Sequence, residues 1–477
     1  MPSPIPHPKG LPVLGNLFDL DAKNPWGSFN RLAAQHRPIF KVSILGHDIV
    51  FVTSAALLEE ICDETRFRKC VTGPIVEIRA AVHDSLFTAY HHEGEIWGIA
   101  HRIMAPLVSP AAIESVFADI RETTAGLIAK WTATSGSGSG GKQRVNVTND
   151  LDRNNHEANM AAFFHERVSI MEGTEPPVIA AMQRATEESL KRTSRPSFLT
   201  WLLGHQRKYD RDIKTMRDYG AAIVAKRRAA EQENPESQPK DMLHALLHGT
   251  DPETGKSLSD SQVLDEIINI FIGSATAPNL LAFALYYLSL NPEVVVKARE
   301  ELDAVVGATG EFTHAHLAQI PYTEAVLRET LRLSAAAPGF NIEPIPSEGN
   351  EPVLLAGGEY QVSRKQPLIA LLTHVNRDPA VFEDPEAFKP ERLVGEKYDA
   401  LPAGVKKGFG SGKRQCFGTR YAWEWSLLVL ATLIKEVDFE LADKGYKVDN
   451  GGVNYNGAFS TRPLGFFLLV GGRQRQE

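Results

Sequence analysis

Two patterns of hydrophobic and polar residues run along the chain, and the helical one dominates. Residues 39–53, IFKVSILGHDIVFVT, make two β-branched-rich runs around Gly46, His47 and Asp48 and predict a hairpin. From Ala55 onward the apolar positions recur at helical spacing. Helices are predicted over 97–108 and 113–132, and again after Asn149. A polar loop at 231–240, EQENPESQPK, separates a helix ending near Ala230 from one starting near Asp241. The run 261–290 is apolar on nearly every face, which predicts a long helix through the middle of the molecule. Beyond it the pattern predicts a helix over 324–333, strand and turn over 354–364 and a short helix over 368–375. A loop rich in proline and charge (377–392), a long helix over 419–436 and a hairpin over 457–471 follow. The fold class is therefore mainly α with small β-sheets, read as one domain over 1–477 with a β-rich part at 39–54 and a helical core over 55–477.

Composition narrows the class. Of 477 residues, 43% are hydrophobic and 23% charged, enough of both for a core and a solvated surface. A net charge of -8 without a stripe of lysine and arginine argues against a nucleic-acid binder. Lys226, Arg227 and Arg228 read as a solvated helix face. The segment 135–141, SGSGSGG, reads as a flexible loop too short to mark a domain boundary. Pro2, Pro4, Pro6 and Pro8 make a rigid lead-in with no signal peptide or membrane anchor, and the apolar run 280–290 reads as buried helix, so no membrane span is expected. Three cysteines, Cys62, Cys70 and Cys416, cannot build a disulfide framework and fit a reduced, cytoplasmic and soluble setting. Cys62 and Cys70 read as ordinary semi-buried side chains. The stretch 154–167, NNHEANMAAFFHER, holds His156, Glu157, His165 and Glu166 without the spacing of a helical zinc motif, and is expected to be a polar surface helix.

Cys416 is different. It stands among Gly410, Gly412 and Gly418, directly before the predicted helix at 419, in the segment FGSGKRQCFG of 409–418. Glycines let a backbone lie close to a flat ligand. A helix N-terminus and donated N–H bonds favour thiolate over thiol, and an axial thiolate pushes electron density onto heme iron. A buried structural cysteine in a glycine-rich turn is the lesser alternative that these residues alone leave open.

The wider pattern resembles the cytochrome P450 family over about 6–471, most closely the heme domain of bacterial and fungal self-sufficient fatty-acid hydroxylases. Phe409, Gly412, Arg414, Cys416 and Gly418 stand at the spacing of the family's cysteine signature. Glu329 and Arg332 match its Glu-x-x-Arg motif, and Arg392, in FKPER at 388–392, matches the arginine that completes a buried ionic triad. The resemblance implies a P450 fold holding heme b (iron protoporphyrin IX), with Cys416 as the iron ligand. It implies that Lys69, Trp97, His101 and Arg414 lie at the heme propionates and that Phe87 covers the distal face and limits substrate approach.

Departures accompany the matches. Where the family carries an acid and a threonine for proton delivery, this chain has Ala275 and Thr276, in Ile272–Gly–Ser–Ala–Thr–Ala–Pro278. Ala275 can hold no proton. Pro278 lacks an N–H and clashes with the carbonyl of Ser274, which predicts a widened helix there. Water held by Thr276, Ser274 or the freed carbonyl is expected to replace the acid. His47 and Phe51 occupy the places where close relatives hold a fatty-acid carboxylate with arginine and tyrosine. The function implied is an oxidoreductase, a monooxygenase hydroxylating a small hydrophobic, fatty-acid-like substrate with O2 and with electrons from NADPH through a flavin reductase. That reductase is either separate or fused in a longer parent chain, since 471–477, GGRQRQE, stands where self-sufficient relatives begin a linker. Lys406, Lys407, Lys413 and Arg414 mark its docking face. A peroxide-using or hydroperoxide-rearranging enzyme is the alternative, and Ala275 argues for it.

Overall fold

A computed structural model describes residues 2–21, 23–91, 94–133, 142–193, 195–307, 309–349, 351–457 and 459–474. The expected flexible loop at 135–141 lies outside them. The chain forms two compact units.

The first unit comprises Met1–Thr72, Glu324–Cys416 and Gly445–Gly465. Its centre is a five-stranded sheet in the order Ile39–Ile44, His47–Val52, Leu368–Leu371, Gly339–Pro344, Phe67–Lys69. The predicted hairpin pairs Ile44 with His47, so the turn is Leu45–Gly46 and His47 and Asp48 belong to the strand. Both turn residues have positive φ (50° and 85°), the twist that a two-residue hairpin loop needs. Leu368–Leu371, expected as helix, is a strand bonded on both sides, and only Leu372–Val375 is helical. A short apolar run fits either state, and here burial on both edges selects the strand. One face packs Ile39, Val52, Leu58, Ile61 and Leu368, and the other stacks Phe51 on Phe40 at 4.9 Å. Phe51 is therefore core.

The ionic triad is in this unit. Glu329 is fully buried and meets Arg332 through two bonds of 2.7 and 2.8 Å, with Arg392 at 3.6 Å. The remaining guanidinium hydrogens of Arg332 reach the carbonyls of Asn376, Pro385 and Ala387, so the buried charges are fully answered.

The second unit comprises Gly73–Thr323, Phe417–Lys444 and Phe466–Glu477. It is helical, with one three-stranded sheet, Gln143–Asn146, Phe467–Gly472, Val437–Leu441. That sheet corrects the expected hairpin at 457–471. Tyr455–Gly457 pairs with Thr461–Pro463 in the first unit, and Phe467–Gly472 pairs within the second. The helix predicted over 113–132 is interrupted at Val116 into Pro110–Ser115 and Phe117–Thr132.

The long apolar helix is present, entered through a Ser259/Gln262 capping box. By length and composition Asp260–Leu290 could cross a membrane, yet 61% of its most apolar window is buried inside the protein, as befits a core helix. It packs against Val147–Phe164 and Thr419–Glu436. Val147–Phe164 corrects the expected surface helix. Asn154, Asn155, His156, Glu157 and Asn159 are all buried. Arg227 is buried too, bonded to Asp241 and the Phe164 carbonyl, whereas Lys226 pairs with Glu166 and Arg228 with Asp260.

Candidate active site

In the first unit the loop around Cys416 gathers four of the predicted residues. Gly410 and Gly412 take positive φ (81° and 66°), and a side chain at Gly412 would collide with Glu64. The loop then turns back so that the Cys416 amide donates to the Phe409 carbonyl at 2.8 Å. Cys416 ends this unit exposed, while Arg414 beside it is buried. The other two cysteines are set apart by burial, which pushes the Cys70 thiol up to about 12 and raises that of Cys62. Neither fits a thiolate ligand.

Lys69, at the end of its edge strand, faces the same loop. Burial, and then the Arg414 guanidinium, push its amine down to about 7, and the Cys416 sulfur pulls the other way. Two cations pressed together in a low-dielectric pocket make a place for anionic groups. This is the first fit to heme, whose propionates are anions. Lys407 bonds Ser411 and the Lys413 amide bonds Glu64, so two of the lysines named for docking also brace the loop, while Lys406 bonds the Asp399 carbonyl. Lys413 is exposed.

In the second unit Gly418 caps the helix Thr419–Glu436. On Glu95–Met104, Trp97 and His101 lie four apart and stack at 4.6 Å, and His101 meets Phe417 edge-on at 5.6 Å. Stacking holds both rings in one orientation.

The core helix breaks at Ala275, giving Asp260–Ser274 and Thr276–Leu290. Pro278 supplies no N–H to the Ser274 carbonyl, and the structure shows what replaces it: the Asn155 side-chain amide donates there at 3.2 Å. The Ser274 hydroxyl bonds the Phe271 carbonyl at 3.0 Å. Sequence reasoning missed Asn155, which stood in a stretch read as a polar surface helix. Around the break, Gly273 is exposed with open space where a Cβ would stand, and Ser274, Ala275 and Thr276 are half-buried between the enclosed runs 271–272 and 277–283. A gap along one face of an otherwise enclosed helix is the second fit to a flat cofactor.

Phe87 is half-buried in a turn. The same core helix fixes that turn, because Glu266 accepts the Leu86 amide at 3.0 Å and the Asn269 side chain at 3.1 Å. Burial, with Asp265 adding to it, pushes the Glu266 carboxyl up to about 8. Glu266 was also missed by sequence reasoning. The residues once weighed as metal ligands in 154–167 bind elsewhere: His156 meets Tyr219 at 2.9 Å and Glu157 accepts the Ile170 and Met171 amides.

A family model described as Cytochrome P450 matches residues 5–469. The chain is 37% identical over 450 residues to the bifunctional cytochrome P450/NADPH–P450 reductase ascE of Acremonium egyptiacum, covering 93% of this chain and 41% of that protein. It is 35% identical to a self-sufficient cytochrome P450 monooxygenase of Aspergillus kawachii (93% and 41%) and 36% to one of Exserohilum turcicum (97% and 42%). The chain thus spans about two fifths of the length of the curated relatives it matches.

Proposed function

The chain belongs to the cytochrome P450 family, and from that membership we propose a heme-thiolate monooxygenase. It hydroxylates a small hydrophobic substrate with O2 and electrons that start at NADPH and pass through a flavin reductase, separate or fused in a longer parent chain. The observation that carries the proposal is the exposed Cys416, its amide tied to Phe409, beside the crowded cations Lys69 and Arg414.

Heme b, when bound, supplies the redox centre for oxygen activation, and a thiolate ligand raises electron density at the iron. Cys416 gives that thiolate, and the Phe409 carbonyl and the helix start at Gly418 fix its loop. By the resemblance, Lys69 and Arg414, and Trp97 and His101, are the residues that would hold the propionates. Phe87 narrows substrate approach from a turn braced by Glu266.

With an alanine at 275, the proton-holding group at the helix break is the Thr276 hydroxyl. The Ser274 carbonyl and hydroxyl, also expected to hold water, already bond Asn155 and Phe271. Of the two residues at the positions where relatives anchor a fatty-acid carboxylate, Phe51 is locked in the sheet core and gives no anchor, and only the exposed His47 offers a polar group. The peroxide-using alternative is not favoured: one relative's name couples P450 to an NADPH–P450 reductase and two others are named self-sufficient. The reading keeps the chain as one heme-thiolate domain, supported by a single family match running through residues of both units. Free cysteines support a cytoplasmic setting.

The difference spectrum of the reduced carbon monoxide complex tests the ligand. Cys416→Ala should lose the thiolate-type Soret band while retaining heme, and an unchanged spectrum ends the proposal. Product formation with reductase and NADPH is then compared with peroxide alone; turnover on peroxide only, with reductase ignored, overturns the monooxygenase reading. Ala275→Glu should raise the fraction of NADPH oxidation coupled to product, and unchanged coupling would show that the missing acid does not limit proton delivery.

A further inference from the structure

Outside the heme machinery, the second unit brings two histidines and a glutamate to one point. Glu231 lies in the last turn of His205–Glu233, and His244 and His248 lie one helical turn apart on Met242–His248. One ligand atom from each of the three falls within 4.8 Å of the others. The imidazole rings are 4.9 Å apart, His248 Nε2 stands 2.9 Å from Glu231 Oε1, and the buried Nδ1 of His244 has no hydrogen-bond partner among the described residues. We propose that Glu231, His244 and His248 form a binding site for one divalent transition-metal ion of the zinc type, with solvent completing the coordination.

The donor set fits that ion. Two neutral imidazoles and a carboxylate suit Zn2+, Cu2+, Ni2+ or Co2+ and not Mg2+ or Ca2+, which take oxygen ligands. The frame is built before the ion arrives. Asp241 caps the short helix at the His244 amide (2.9 Å) and holds Arg227, while the Gln238 amide bonds the Ala230 and Asn234 carbonyls. Arg227 and Arg228 both feel the Glu231 charge, and each is matched by its own carboxylate, Asp241 and Asp260. His248 is half exposed, so the ion enters from solvent. Once bound, the ion staples the end of the long helix to the helix that follows it, and the folded state gains by mass action.

The test uses heme-loaded protein dialysed against Zn2+ alone, with bound zinc counted per chain for wild type, His248→Gln and His244→Gln/His248→Gln. Wild type should hold one more zinc than either variant, and its melting temperature should rise with Zn2+, fall back with EDTA and ignore Mg2+. Circular dichroism confirms that the variants are folded, and the exposed position of His248 makes the single variant safe. Equal zinc counts in wild type and variants, or an equal Zn2+ shift in melting temperature, overturn the site.

Discussion

Two buried polar networks, one in each unit, are held by opposite means. In the unit that carries Cys416, Glu329 is matched by Arg332, Arg392 and the Lys389 amide. In the helical unit the enclosed set around Asn155, His156 and Glu266 is neutral, although Arg227 and Asp251 elsewhere in that unit are buried as ion pairs with Asp241 and Arg102. Burial lifts Glu266 to about 8 and lowers His156 to about 4, and Asn154, Asn155 and Asn159 never carry charge. A charged network tolerates no single loss, because the survivor is stranded in low dielectric. A neutral one can exchange partners and answers to pH.

The sharpest way to break the contrast is Arg332→Ala. It strands Glu329 and frees the carbonyls of Asn376, Pro385 and Ala387, so destabilisation of about 3–5 kcal/mol is expected in denaturant titration. A loss under about 1 kcal/mol would show that the charged network is no more demanding than the neutral one.

That triad was legible in the sequence for the same reason that it is fragile: three charged residues at fixed spacing admit few partners. The helix Thr419–Glu436 and the hairpin at 39–52 were legible through local signals, a glycine start and alternating β-branched residues. The helix Val147–Phe164 was not, because its polar side chains are answered from remote segments. Asn154 reaches the Thr123 carbonyl, Glu157 the Ile170 and Met171 amides, and Asn155 the Ser274 carbonyl. A polar residue reads as surface until its distant partner is known. The candidate site divides likewise. The Cys416 loop was readable residue by residue, and Pro278 announced a distortion, but the side chain that repairs it lies more than a hundred positions away in the chain.

The neutral network should show itself in pH dependence. With its carboxyl pushed up to about 8, Glu266 keeps a proton that the unfolded chain has already released above 4.5. Its contribution is complete below pH 4.5 and is lost as pH rises through 8. His156, lowered to about 4 from 6.5, acts at the other side: its contribution is present above pH 6.5 and lost as pH falls toward 4. Glu266→Gln should therefore remove roughly 2–4 kcal/mol of the stability change between pH 5 and 8. Denaturation of wild type and variant at both pH values measures it, and parallel pH profiles would mean that Glu266 is charged in the folded protein.

The smallest effect asks whether the neutral network truly trades partners. Asn155→Leu removes the donor to the Ser274 carbonyl, and leaving that acceptor unanswered costs about 1–3 kcal/mol. Pro278→Ala restores a backbone N–H four residues along, the donor that a regular helix would supply. If the two donors substitute for each other, Asn155→Leu should cost about 1 kcal/mol less in the Pro278→Ala background than alone, an interaction that a double-mutant cycle resolves. Strict additivity would mean that the carbonyl at the break cannot accept from its own helix, and that the distortion at Ala275 is set by packing from Val147–Phe164 instead of by the proline.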